Sequence, residues 1–151
     1  MTLRCLLVDD NSQFLAAARD LLEREGLTVV GMAGHIADAV GQAADLGPDV
    51  ALVDINLGSE SGFDLAARLA PTPVIMISTH SGEDYADLIA ASPAIGFLSK
   101  IELSARAVEE LVQAVDKTDL QRARQRGIEA DVQLVVLGAR RGAANFEPDN
   151  A

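Results

Sequence analysis

Three observations predict an α/β fold, a doubly wound parallel sheet of five strands with helices on both faces. Over residues 1–117, short apolar runs alternate with longer segments of helical period, in five successive pairs. The runs are apolar at consecutive positions, as strands buried on both faces require. The 151 residues, 49% hydrophobic and 3% aromatic, suffice for one such domain and leave residues 118–151 as a short C-terminal extension.

The first strand is read at 3–8 and the first helix at 12–25, with Phe14, Leu15, Ala18, Leu21 and Leu22 on one stripe and Gly26 as its stop. Strand two at 28–32 precedes an alanine-rich helix at 36–44, which the Leu46-Gly47-Pro48 turn ends. His35 belongs to the turn before that helix. Strand three is 50–54, followed by a glycine- and serine-rich loop and a short helix at 63–69. Pro71 and Pro73 separate this helix from strand four at 74–78. The fourth helix is predicted at 83–91 and strand five at 95–99. Ser104 then caps a last helix, with Leu103 and Val108 as a hydrophobic staple and Val108, Leu111, Val112 and Val115 as its apolar face.

Right-handed crossovers leave few topologies for this chain. The expected strand order is 2-1-3-4-5, in which the chain reverses direction between strands one and three and opens a crevice at their carboxyl ends.

The charge balance limits what the crevice can serve. There are 23 acidic and 12 basic side chains, a formal net charge of −11. Residues 1–117 carry all of it, with 18 acids against 7 bases, while residues 118–151 hold 5 of each. Phosphate backbones need a cationic face, so direct nucleic-acid binding is not expected. No segment approaches the ~20 apolar residues of a spanning helix and no leader pattern opens the chain, so a cytoplasmic protein without a membrane partner is expected. Cys5 is the single cysteine and is read as a small buried hydrophobe. Glu23, Glu25, Glu109 and Glu110 are read as solvating surface acids.

Asp9, Asp10 and Asp54 differ from the other acids because they end apolar strands on the two sides of the crevice. Three neighbouring carboxylates are costly unless they share a cation, and oxygen-only ligands suit a hard divalent ion such as Mg²⁺. Strand four contributes Ser78 and Thr79 to the same rim, and strand five leads into Lys100. An acidic cluster, a cation, a hydroxyl and a lysine describe a site for phosphoryl transfer, with one carboxylate as the attacking group.

Over residues 2–117 the sequence resembles the receiver domain of two-component response regulators. The resemblance rests on an ordered set of segments: Leu-Val-Asp-Asp-Asn, Val-Asp-Ile-Asn-Leu-Gly followed by Ser-Gly-Phe-Asp-Leu, Met-Ile-Ser-Thr, and Gly-Phe-Leu-Ser-Lys. It implies a flavodoxin-like fold, and since receivers are a standard instance of the 2-1-3-4-5 order, that order is matched rather than derived. It further implies that Asp54 is the phosphoacceptor, served by a histidine kinase or a phosphotransfer protein. Asp9 and Asp10 would hold Mg²⁺ together with Asp54 and the backbone carbonyl of Asn56, Asp10 being the direct ligand of the acidic pair. Ser78 matches the switch hydroxyl, Lys100 its lysine partner and Phe97 the switch aromatic. Asn56, Thr79 and His80 occupy positions that tune phosphorylation and dephosphorylation. The implied readout is a repacked surface of helix four, strand five and helix five, offered to a downstream protein or a second copy of the chain.

Ile101 follows Lys100 where many receivers have proline, so no cis peptide is expected there. The Lys-Ile-Glu-Leu-Ser segment looks more like receivers that precede a helix-turn-helix, yet residues 118–151 are too few for such an output, and a stand-alone receiver is expected. Within the extension, Arg122, Arg124 and Arg126 read as a solvated helical or linker segment. The apolar run 132–137 reads as an ordering element, and the glycine- and proline-containing end as disordered. Two other functions share parts of this chemistry. A phosphorylation-independent docking receiver would not need the complete acidic set. An aspartate-nucleophile phosphohydrolase would place Asp-x-Asp on its first strand, where this chain has adjacent aspartates, and would need a cap domain. The chain is therefore read as a phosphoacceptor signalling protein rather than an enzyme.

Overall fold

The structure, a computed structural model, describes residues 2–114. Five strands alternate with five helices: β1 (Arg4–Val8), α1 (Ser12–Arg24), β2 (Thr28–Ala33), α2 (Ile36–Leu46), β3 (Val50–Asp54), α3 (Gly62–Leu69), β4 (Val74–Ser78), α4 (Ala86–Ala91), β5 (Gly96–Ser99) and α5 (Ala105–Ala114). The five strands form one parallel sheet in the order β2-β1-β3-β4-β5, the order expected. The boundary at 117, Val115, the three arginines and the run 132–137 lie outside the described residues.

Burial follows the strand positions. The central strands β3 and β4 are buried at every residue, whereas the edge strands β2 and β5 are mostly half-buried. Side chains alternate across the sheet with period two, so β1 sends Cys5 and Leu7 to one layer and Leu6 and Val8 to the other. Leu15 and Leu22 of α1 and Val108 of α5 fill the first layer. Ile36 of α2 and Leu65 and Leu69 of α3 fill the second. Cys5 is fully buried, and burial pushes its thiol up to about 12, which makes it the inert hydrophobe its sequence context suggests. No helix among the described residues is long and apolar enough to cross a membrane.

Helix ends are closed by identifiable groups. Asn11 Oδ1 accepts hydrogen bonds from the Gln13 and Phe14 amides and starts α1. Ser104 Oγ accepts from Ala107 N at 3.0 Å, and Leu103 and Val108 are both buried, as the staple requires. His35 is the N-cap of α2, its Nδ1 accepting from Asp38 N. At the other end of α2, Gly47 adopts a left-handed φ of 56°, and the Arg4 guanidinium donates to the carbonyls of Leu46 and Gly47.

Three local expectations are corrected. The glycine-rich loop after β3 contains a hairpin, Asn56–Leu57 paired antiparallel with Glu60–Ser61. The first turn of the fourth helix is a 3₁₀ turn, Gly82–Tyr85, entered by an Asp84 N to Ser81 O bond of i to i+3 spacing, with Gly82 under the Phe97 ring where a Cβ would come within 2.9 Å. Glu25 is no idle surface acid: its Oε1 accepts from Ala105 N at 2.7 Å and caps α5 from the end of α1. Glu25→Ala should therefore lower unfolding stability by about 1 kcal/mol, the usual value of an N-terminal cap, read as a shift of the urea midpoint at constant slope. Ala70–Pro71 is the one cis peptide bond among the described residues, so Lys100–Ile101 is trans.

Candidate functional site

The carboxyl ends of β1 and β3 bring Asp9, Asp10 and Asp54 together, one carboxylate oxygen from each lying within 4.8 Å of the others. Asp9 and Asp54 are buried and Asp10 is exposed at the rim. The pairing of β1 with β3 places Val8 opposite Val53, so the next residues, Asp9 and Asp54, leave the sheet side by side.

Backbone amides fix one oxygen of each buried acid. Asn11 N donates to Asp9 Oδ1 at 2.9 Å and Asn56 N donates to Asp54 Oδ1 at 3.1 Å, both two residues downstream. The remaining oxygens face Lys100, whose Nζ lies 2.6 Å from Asp9 Oδ2 and 3.1 Å from Asp54 Oδ2. Lys100 opens a short 3₁₀ turn directly after β5, and its ammonium stands 4.4 Å from the centroid of the Phe14 ring. The sequence placed Phe14 on the core stripe of α1. It is half-buried there, with its ring face against the lysine ammonium.

The pairing of β3 with β4 sets Asp54 opposite Ile77, which puts Ser78 one residue beyond it on the same rim. Ser78 is buried, and its Oγ accepts from His80 N at 3.0 Å. Thr79 and His80 are exposed, and the His80 ring sits edge-on to Tyr85 with centroids 6.3 Å apart. Phe97 lies in β5 opposite Met76, half-buried over Gly82. Asn56 is exposed at the base of the hairpin.

The electrostatics reflect three anions and one ammonium. Burial raises the pKa of Asp9, and the nearby Asp54 charge adds to this, while Lys100 and the Asn11 amide work against it. For Lys100, burial alone would lower the pKa, but Asp9 and Asp54 outweigh it and raise it, so the ammonium stays charged at neutral pH. Asp9 Oδ2 is buried, and the Lys100 ammonium 2.6 Å away is the one cation facing it among the described residues. Three carboxylates, each bringing an oxygen to within 4.8 Å of the others, form an oxygen-only donor set that fits a hard divalent cation.

A pH dependence follows. A carboxyl whose pKa is raised by folding contributes most below the unfolded value and loses that contribution as pH rises through the folded one. With chelator present, Asp9→Asn is expected to match wild type in acid and to become the more stable of the two as pH climbs through the raised Asp9 value. Urea midpoints of the two proteins across pH check this, and a gap that widens toward acid would contradict it.

Comparison with known proteins supplies a family. The model of the response regulator receiver domain family matches residues 5–116. A Pseudomonas aeruginosa protein is 34% identical over 115 residues, covering 70% of this chain and 56% of that protein. A protein-glutamate methylesterase/protein-glutamine glutaminase of Archaeoglobus fulgidus is 34% identical over 123 residues, covering 75% of this chain and 35% of its own. The chain thus spans about half of the first relative and about a third of the second. Among solved structures, the CheY-like receiver domain protein of Methanospirillum hungatei superposes with a TM-score of 0.63 at 23% identity, over 82% of this chain and 99% of that one.

Proposed function

We propose, from the premise that this chain belongs to the response regulator receiver domain family, that Asp54 accepts a phosphoryl group from the phosphohistidine of a histidine kinase or phosphotransfer protein. The observation that carries this reading is the convergence of Lys100 Nζ on Asp9 and Asp54 at the rim where three carboxylates meet.

The chain's own groups prepare the transfer. The Asn56 amide and the Lys100 ammonium each hold one Asp54 oxygen, which fixes the carboxylate's orientation before the donor arrives. An Asp54 oxygen lone pair forms the new P–O bond as the P–N bond breaks. That electron pair returns to the imidazole, which leaves neutral because its other nitrogen keeps a proton. Lys100 then balances charge on the phosphoryl oxygens, and Ser78, on the adjacent strand end, donates its hydroxyl to one of them. Asp9, Asp10, Asp54 and the Asn56 carbonyl would hold Mg²⁺, which when bound neutralises charge across the acids and the phosphoryl group.

As the Ser78 hydroxyl turns to donate to the phosphoryl group, the His80 amide that donates to its Oγ is drawn with it, and Phe97 repacks against Gly82. Both changes reach α4, β5 and α5, the surface that carries Leu88 and Ile101, the two exposed large hydrophobics among the described residues. A downstream protein, or a second copy of the chain, docks there. Asn56, Thr79 and His80 flank the acceptor and set how readily water or donor reaches it. The chain acts as a signalling phosphoacceptor, its chemistry confined to its own phosphorylation and dephosphorylation.

The test is incubation of the full chain with acetyl phosphate and Mg²⁺, read by intact mass. A single added phosphoryl group that chelator prevents is expected. No added mass would refute the phosphoacceptor reading, and turnover of unrelated phosphate esters would replace it with a hydrolase.

A further inference from the structure

We infer that Glu60 is a positioning residue for the cation site, clamping the hairpin that follows the phosphoacceptor onto the start of α2 and so fixing that hairpin against Asp10. The inference deepens the reading of the acidic rim as a Mg²⁺ site and rests on it.

The hairpin needs an external hold. Its strands are two residues each, Asn56 facing Ser61 and Leu57 facing Glu60, too short to persist on their own pairing. Ser61 Oγ accepts from Phe63 N and Gly62 N donates to Ile55 O at 2.8 Å, so the returning strand is tied to α3. On the opposite side Glu60 Oε1 accepts from Ile36 N at 2.9 Å. Ile36 is the first residue of α2 and is buried, so its N–H has no partner within the helix and a carboxylate is the favoured acceptor there.

This bond closes a circuit around the rim. Asp9 N donates to Ala33 O at 3.0 Å, which ties the loop before α2 to the acidic pair. That loop leads to Ile36, Ile36 to Glu60, and Glu60 to the hairpin tip, where Gly58 has a φ of +66° and a Cβ on it would lie 3.5 Å from Asp10 Oδ2. Release of Glu60 frees the Asn56 and Gly58 segment from Asp10 while leaving the three carboxylates in place. The clamp touches no reacting atom and acts through the spacing it imposes.

Calorimetric Mg²⁺ titration of the full chain tests the clamp, with Asp10→Asn as the site control and thermal unfolding in chelator run alongside. Glu60→Ala is expected to weaken Mg²⁺ binding about tenfold, the low end for loss of a residue that supports metal ligands. Glu60→Gln keeps an oxygen for the Ile36 amide and should stay within about threefold of wild type. A purely structural cap would lower the unfolding temperature in chelator and leave Mg²⁺ affinity unchanged, which would overturn the inference, as would equal weakening in both variants. Absence of Mg²⁺ binding in wild type itself would overturn the reading of the rim and the inference with it. Hydrogen exchange on wild type gives a readout independent of whether Glu60→Ala folds: Mg²⁺ should slow exchange of the Ile36 amide, since coupling between two sites is reciprocal. An Ile36 amide indifferent to Mg²⁺ would also overturn it.

Discussion

Asp54→Asn, incubated with acetyl phosphate and Mg²⁺, is expected to gain no phosphoryl mass under conditions that label wild type, a loss on the order of 100-fold or more. The substitution keeps the side chain's size and an oxygen that can accept from the Asn56 amide, so the loop after β3 has no reason to move. It removes the anionic oxygen whose lone pair makes the P–O bond. It also removes one of three clustered negative charges, and Asp9 still faces Lys100 across 2.6 Å. Folding stability in chelator should therefore be retained, which separates loss of chemistry from loss of structure. A phosphoryl mass that survives the substitution would place the acceptor elsewhere, with Asp10 and Ser78 as the other candidates on this rim. Peptide mapping of the labelled protein would show which.

How much of this was legible in the sequence depends on how far apart the interacting residues lie along the chain. The bounds of β3 and β4 coincide with the predicted runs 50–54 and 74–78, because strands buried on both faces leave no ambiguity of face or end. That Asp9, Asp54, Ser78 and Lys100 share one rim was legible for a related reason: parallel strands of one sheet deliver their carboxyl ends to a common side. The residues that organise the rim were not. Glu60 and Glu25 look like ordinary acids, and their roles depend on amides 24 and 80 residues away. Local capping rules search three or four residues along the chain and cannot find them. Phe14 satisfied the helical stripe and so was assigned to the core, while its ring also bounds the Lys100 ammonium. The 3₁₀ turn before α4 brings Gly82 under Phe97, a contact between a loop and an edge strand that periodicity does not encode.

Gly62 couples the fold to the site most directly, and Gly62→Ala should be the most damaging small substitution among the described glycines. Gly62 is the first residue of α3, and its amide donates to Ile55 O at 2.8 Å. A Cβ on it would fall 2.0 Å from the Asp54 carbonyl oxygen, 2.9 Å from the Asp54 carbonyl carbon and 3.0 Å from Ile55 Cα. All three obstacles are backbone, so no rotamer change relieves the clash; either α3 or the end of β3 must shift. Overpacking a core usually costs about 1–3 kcal/mol, and a backbone obstacle should put this case at or above the upper end of that range. Gly31, by contrast, meets only side-chain ends, Gln42 Oε1 at 2.3 Å, Leu46 Cδ1 at 3.0 Å and Leu6 Cδ1 at 3.2 Å, which can shift where backbone cannot. Gly41 supplies the control: it lies exposed within α2 with nothing within 4 Å of a built Cβ, so Gly41→Ala should stabilise the protein by about 0.5–1 kcal/mol through helix propensity. Urea midpoints of the two variants should therefore move in opposite directions. Whatever fraction of Gly62→Ala folds should also phosphorylate poorly, because the displaced backbone carries Asp54. A Gly62→Ala protein with the wild-type midpoint would mean that α3 can retreat from β3 at no cost, and would remove the packing argument for the position of Asp54.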